Sequence, residues 1–324
     1  NFGKRPLGVK FIRPRHGTAR RRQNVPCESQ GCDAVQLDIF EHSRDLMLRN
    51  DVLHALEQRD AAAARLAWHQ LETEWPRDDA LATLDRLVAT LERPESGAFG
   101  EPAEVREALS AMRDEIEPAA LRLWAAPAAA AWLAPLWAGL AQRAAPLPLQ
   151  ADAADLHSAA LWLRAADFAA AAQAVAQIES WRRIPAPLAW MAEARYRLDG
   201  LDASWALLAE LAWLAPERFD ALGRRLTDPV LDRLRRHFDA EFEGDGHDAD
   251  SAWFPAWLLC DKPALAKWLG QAQPGLQRPP ERAMRLLLDL LHLERQGRQH
   301  ELLAQRRRLR DLQPSMYAAY MRSR

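Results

Sequence analysis

Glycine is scarce in this chain, with 14 among 324 residues, where an average share of about 7% gives roughly 23. The shortage disfavours glycine-cradled cofactor sites and turn-rich β architectures. Cysteine is scarcer still. Cys27, Cys32 and Cys260 cannot frame a disulfide scaffold for a chain this long, which fits an intracellular, reducing compartment. The amino end has no signal-peptide layout, because Lys4, Arg5, Lys10, Arg13 and Arg15 interrupt each short apolar run. The chain begins at Asn1 without an initiator methionine, which limits any targeting argument. Long apolar stretches are also missing, with one exception: Leu123 to Leu140 carries no charge. Alanine supplies most of that run and Pro127 and Pro135 break it, so the expectation is a buried, interrupted helix with no membrane span. A Walker loop, a Gly-x-Gly-x-x-Gly fingerprint, a His-Glu-x-x-His helix and a Gly-x-Ser-x-Gly elbow are all absent.

Charge is present in both signs but unevenly placed. The formal net charge is −2, yet residues 1–30 hold eight basic side chains and one acidic one, Glu28, a net of +7, leaving −9 for the rest. Pro6, Pro14 and Pro26 oppose helix there and no apolar period is sustained, so residues 1–34 read as a disordered basic arm. Arg20, Arg21 and Arg22 suit contact with phosphate or an anionic surface; the plainer reading is a solvated leader.

From about Val35 onward apolar residues recur at spacings of three and four: Leu46, Met47, Val52, Leu53, Leu56, then Ala63, Ala64, Leu66, Ala67, Trp68 and Leu71. That is the period of a helix with one buried face. Alanine and leucine dominate and β-branched residues rarely alternate with polar ones, so the fold class is all-α. Breaks at Arg59-Asp60, Trp75-Pro76, Arg93-Pro94 through Pro102, 145–150, 184–187, Asp199-Gly200, Ala215-Pro216, 243–250 and 270–280 make the helices short and paired. The expected organisation is the arm 1–34, an N-terminal helical lobe 35–143 and a C-terminal lobe 144–324.

Short paired helices invite a search for self-similarity, and four windows pass. In the first, Leu48 and Val52 precede Asp60, followed by Ala64, Trp68, Leu71 and Pro76. In the last, Leu286 and Leu290 precede Gly297, followed by Leu302, Leu309 and Pro314. Between them lie Leu156, Ala159 and Trp162 before Asp167-Phe168, then Ala171, Val175 and Ile178; and Trp190 and Tyr196 before Gly200, then Trp205, Leu208, Leu211 and Pro216. Asp167 and its counterpart Leu201 are 34 residues apart. These windows resemble a degenerate tetratricopeptide repeat, a 34-residue helix-turn-helix. The resemblance covers somewhat under half of the chain and implies an irregular α-solenoid. Residues 94–150 and 217–280 stay helical without the pattern and read either as decayed repeats or as separate packing elements. The 13 tryptophans read chiefly as fillers between helices.

In that family an extended peptide or partner helix lies along the concave surface. The positions that resemble this inner groove are Arg49, Asn50, Trp190, Arg197, Glu294 and Arg295. Such a groove takes a protein or peptide partner. Charge reversal at Arg49 or Arg197 is expected to weaken capture without lowering thermal stability. Asp245, His247, Asp248 and Asp250 cluster without the spacing of a calcium loop, and Cys27 and Cys32 lack the partners of a zinc site, so no metal and no cofactor is expected. His42, His54, His69, His157, His237 and His292 have no visible catalytic partner in sequence. Arg306, Arg307, Arg308 and Arg310 read as the polar face of a terminal cap or as phosphate contacts, and Met316 to Met321 as a final shielding helix.

The leading expectation is a cytoplasmic, non-catalytic helical-repeat adaptor. Its alanine-rich, arginine-over-lysine composition is compatible with a bacterial source of high GC content. The alternative is a nucleic-acid-associated regulator that uses the basic arm, and an enzyme with an unrecognised site ranks third.

Overall fold

A computed structural model describes residues 32–93, 97–244 and 248–324. Most of the basic arm, Cys27, Pro94, Asp245 and His247 lie outside the described residues. Among those described there is no strand, and the architecture is all-α. In chain order the helices are α1 (Cys32–Glu57), α2 (Ala61–Glu74), α3 (Leu81–Glu92), α4 (Pro102–Ala111), α5 (Glu117–Leu123), α6 (Ala126–Ala144), α7 (Ser158–Arg164), α8 (Phe168–Ala176), α9 (Pro185–Asp199) and α10 (Leu201–Leu214). They continue as α11 (Pro216–Leu226), α12 (Pro229–Glu241), α13 (Phe254–Asp261), α14 (Ala266–Leu269), α15 (Pro279–Gln296), α16 (Gln299–Leu312) and α17 (Pro314–Arg322).

Local chemistry accounts for most of the boundaries. Pro102, Pro185, Pro216, Pro229, Pro279 and Pro314 each open a helix, where the missing N–H has no intrahelical acceptor to lose. Asp60, Asp167 and Asp228 cap α2, α8 and α12, accepting from the N–H groups of Ala63 (2.9 Å), Ala170 (2.9 Å) and Val230 (2.8 Å). Each of the four repeat windows forms a helical pair, α1–α2, α7–α8, α9–α10 and α15–α16. Every one of their turns contains a residue of positive φ: Arg59 (φ 55°), Ala166 (φ 57°), Gly200 (φ 82°) and Gly297 (φ 67°). Positive φ lets the chain reverse in two or three residues, and glycine supplies it at two of the four turns.

The apolar stretch 123–140 does not form one helix. It breaks at the extended Trp124, and the following α6 buries Ala129, Trp132, Leu133, Trp137 and Leu140. No helix among the described residues is long and apolar enough to cross a membrane. A wider π turn, Met112–Ile116, joins α4 to α5. Its Glu117 N–H bonds back to the Met112 carbonyl just ahead of Pro118, whose ring does not fit an unbroken α-helical ladder.

Two buried clusters make up the interior. One gathers apolar side chains from Leu48 to Ala165, the other from Ala159 to Tyr320. Helix α7 serves both, since Leu161 packs into the first and Ala159 into the second. None of the 13 tryptophans is exposed. Trp132 shows the pattern: its indole N–H donates to the Leu56 carbonyl at 2.9 Å, Trp124 stacks on it at 5.4 Å and the Arg59 guanidinium lies 5.4 Å from its ring centre.

Candidate functional site

A cleft of about 630 Å³ opens where the two clusters meet. Five parts of the chain build it: Arg113 on the π turn, the loop 151–155, Arg164 on α7, and the facing sides of α9 and α11. On α9, Ala186, Trp190 and Glu193 share a face through spacings of four and three; on α11, Arg218 and Arg225 are seven apart and share another. The adjoining face of α11 fixes that orientation, because Phe219, Leu222 and Leu226 are buried in the second cluster.

Trp190 forms part of the wall and is 9% exposed. Its ring stacks on His157, 5.8 Å between centres and 10° from parallel. His157 caps α7 by accepting the Ala159 N–H at Nδ1, 3.1 Å away, so the neutral ring carries its proton on Nε2. Burial pushes this imidazole below its ordinary range, which favours that neutral form.

Four arginines and three acids set the polarity of the cleft. Arg225 grips Glu193, with Nε 3.1 Å from both carboxylate oxygens and Nη2 on Oε2. Arg113 donates to Asp155 from both terminal nitrogens at 3.2 Å. Arg164 lies over the Trp137 ring at 4.9 Å, with Glu117 at 3.9 Å. Burial lowers the pKa of this guanidinium, and the nearby positive charge of Arg113 lowers it further. Arg218 is exposed and has no ionic or hydrogen-bond partner among the described residues, and Asp152 on the loop likewise has none. The arrangement can receive an anionic group against Arg218 and an apolar one against Trp190.

Of the six positions read from the sequence, Trp190 alone lines this cleft. Arg49 sits among three carboxylates, Asp78 at 2.7 Å, Asp79 at 3.1 Å and Asp45 at 3.9 Å, and the Asp78 side chain is 1% exposed. Charge reversal at Arg49 therefore sets four acids together and lowers stability, so it is not the clean probe of capture expected from the sequence. Asn50 is exposed beside it. Arg197 is exposed at the end of α9, its guanidinium 5.6 Å from the Tyr196 ring centre. Glu294 is engaged by the chain itself: Tyr320 donates its hydroxyl to it, and Arg324 and Arg306 pair with it at 3.3 and 3.5 Å. Arg295 is exposed.

Arg113, Arg164, Arg218, Arg225 and Glu193 were not read from the sequence. The available signal was the amphipathic run of α11, whose buried Phe219, Leu222 and Leu226 leave Arg218 and Arg225 along one edge of the buried face. Among the described residues no three His, Cys, Asp or Glu side chains come together in a group able to hold a metal ion. Three of the histidines contact acids or amides on their own helices: His69 with Glu72 at 3.5 Å, His237 with Glu241 at 3.0 Å and His292 with Gln296 at 2.7 Å. Comparison with family models, with curated proteins and with solved structures gives no match.

Proposed function

We propose that the chain is a cytoplasmic, non-catalytic adaptor, an irregular α-solenoid of tetratricopeptide-like hairpins that binds an acidic protein segment in the cleft beside Trp190. The observation that carries this reading is the pairing of a tryptophan wall with an exposed arginine, Arg218, that has no partner among the described residues. Support for the solenoid comes from the packing of α9, which contacts α7 and α11 as well as its direct neighbours α8 and α10. Beyond α12 the order is less regular, since α10 also contacts α13 and α14.

The experiment is fluorescence polarisation of a labelled glutamate-rich peptide pool on the full chain, with a lysine-rich pool as control. Losing one charge-assisted contact and gaining a repulsion makes Arg218→Glu bind the acidic pool at least about tenfold more weakly. Its thermal midpoint stays at the parent value, because the side chain supports nothing in the fold. Equal binding by parent and variant, or no preference for the acidic pool, refutes the reading. The basic arm favours a second reading, association with nucleic acid, on the strength of its net +7 over residues 1–30. Its signature is duplex binding that falls steeply as salt rises.

A further inference from the structure

A second, smaller cavity of about 130 Å³ lies away from the cleft, between α10, the short turn Trp181–Arg183 and the loop 270–278 that leads into α15. Both acids in its wall are engaged by the protein itself. Glu210 accepts from Arg182 at 2.6 Å and from the Gln273 N–H at 2.7 Å. Glu281, 2% exposed, accepts the N–H groups of Gly275 and Gln277, both at 2.7 Å. These two carboxylates strap the loop over the cavity. The strap is tight, since a Cβ at Gly275 would stand 2.9 Å from Glu281 Oε2.

Trp213 lines the cavity and is 5% exposed. Leu214, Pro274 and Leu276 give the cavity an apolar lining, and Leu276 is itself exposed to solvent. Arg183 and Arg278 also line it, both exposed and without an acidic partner among the described residues, whereas Arg182 is taken by Glu210. In size the cavity is close to a dry void of about 150 Å³ that admits benzene.

We propose that this cavity is a binding site for a small organic acid with an apolar body, its carboxylate facing Arg183 and Arg278 and its body lying against Trp213, Leu214 and Leu276. An apolar body matches the lining, and a negative charge matches arginines that exceed the two wall carboxylates by one. Reading this site does not depend on what the cleft beside Trp190 binds.

The probe is benzoate, with benzamide as its neutral counterpart, titrated into the full chain and followed by the indole N–H resonances in proton–nitrogen correlation spectra. Ligands this small bind at about millimolar concentration. Benzoate is expected to shift, saturably, one indole resonance that is missing from the spectrum of Trp213→Phe. In Arg183→Gln/Arg278→Gln, which alters only exposed side chains, benzoate affinity falls about tenfold and benzamide binding is unchanged. If Trp213→Phe does not fold, the arginine variant and the benzamide comparison decide the matter. No saturable indole shift overturns the site, as does water occupancy with no response to either probe. Benzamide binding as tightly as benzoate, or full affinity in the arginine variant, overturns the assignment to a carboxylate.

Discussion

Replacing Arg225 by alanine tests whether the seam between α9 and α11 depends on its ion pair. Glu193 is 7% exposed, and its only partner among the described residues is Arg225. Removing one member of a buried pair costs about 3–5 kcal/mol, because the remaining charge is left without compensation. The Arg225 side chain is 51% exposed, so water screens part of the interaction. That brings the expected loss to about 2–3 kcal/mol. Urea unfolding gives the magnitude, and hydrogen exchange of the α9 and α11 amides gives the location, since a chain of this size can open in parts. The companion variant Glu193→Leu/Arg225→Ala removes the stranded charge and regains about 1–2 kcal/mol over the single variant. A single variant within about 0.5 kcal/mol of the parent refutes the argument. So does a double variant no more stable than the single.

Two further outcomes follow from buried titratable groups. The folded-state pKa of His157 lies below its unfolded value of 6.5, so the unfolded chain binds more protons as pH falls. Its contribution to stability is complete above about pH 6.5 and is lost as pH drops toward the depressed folded value. Protonation also removes the Nδ1 lone pair that caps α7. In His157→Asn, which retains a capping acceptor, urea midpoints measured between about pH 5 and 7 lose part of their slope; an unchanged slope contradicts the assignment. Burial pushes the Cys260 thiol up to about 12, so in Cys27→Ser/Cys32→Ser a thiol reagent at about pH 8 leaves the native protein unmodified and labels it once urea unfolds it. Fast labelling in the native state refutes that burial.

The helical pairs were legible because their signals are local. The three-and-four spacing of Ala64, Trp68 and Leu71, the capping aspartates Asp60 and Asp167, and the turn glycines Gly200 and Gly297 each act within one or two helical turns. The candidate site was barely legible. Trp190 was found through its place in a repeat, but Arg113, Arg164 and the α11 pair Arg218 and Arg225 come from three separate elements, and nothing local links those elements. Arg49 and Glu294 illustrate the converse. Both read as free charges on a helix face, and the partners that engage them, Asp78 and Tyr320, lie 29 and 26 residues away.

Period, caps and proline placement were thus enough to determine an all-α chain of short paired helices, because hydrogen bonding along a helix and its burial pattern depend on near neighbours. Which charges stay available, where the Trp190 cleft opens and how the loop 270–278 closes over its cavity were decided only by tertiary structure. Those properties depend on which surfaces two helices distant in sequence present to each other, and close packing settles that across the whole fold.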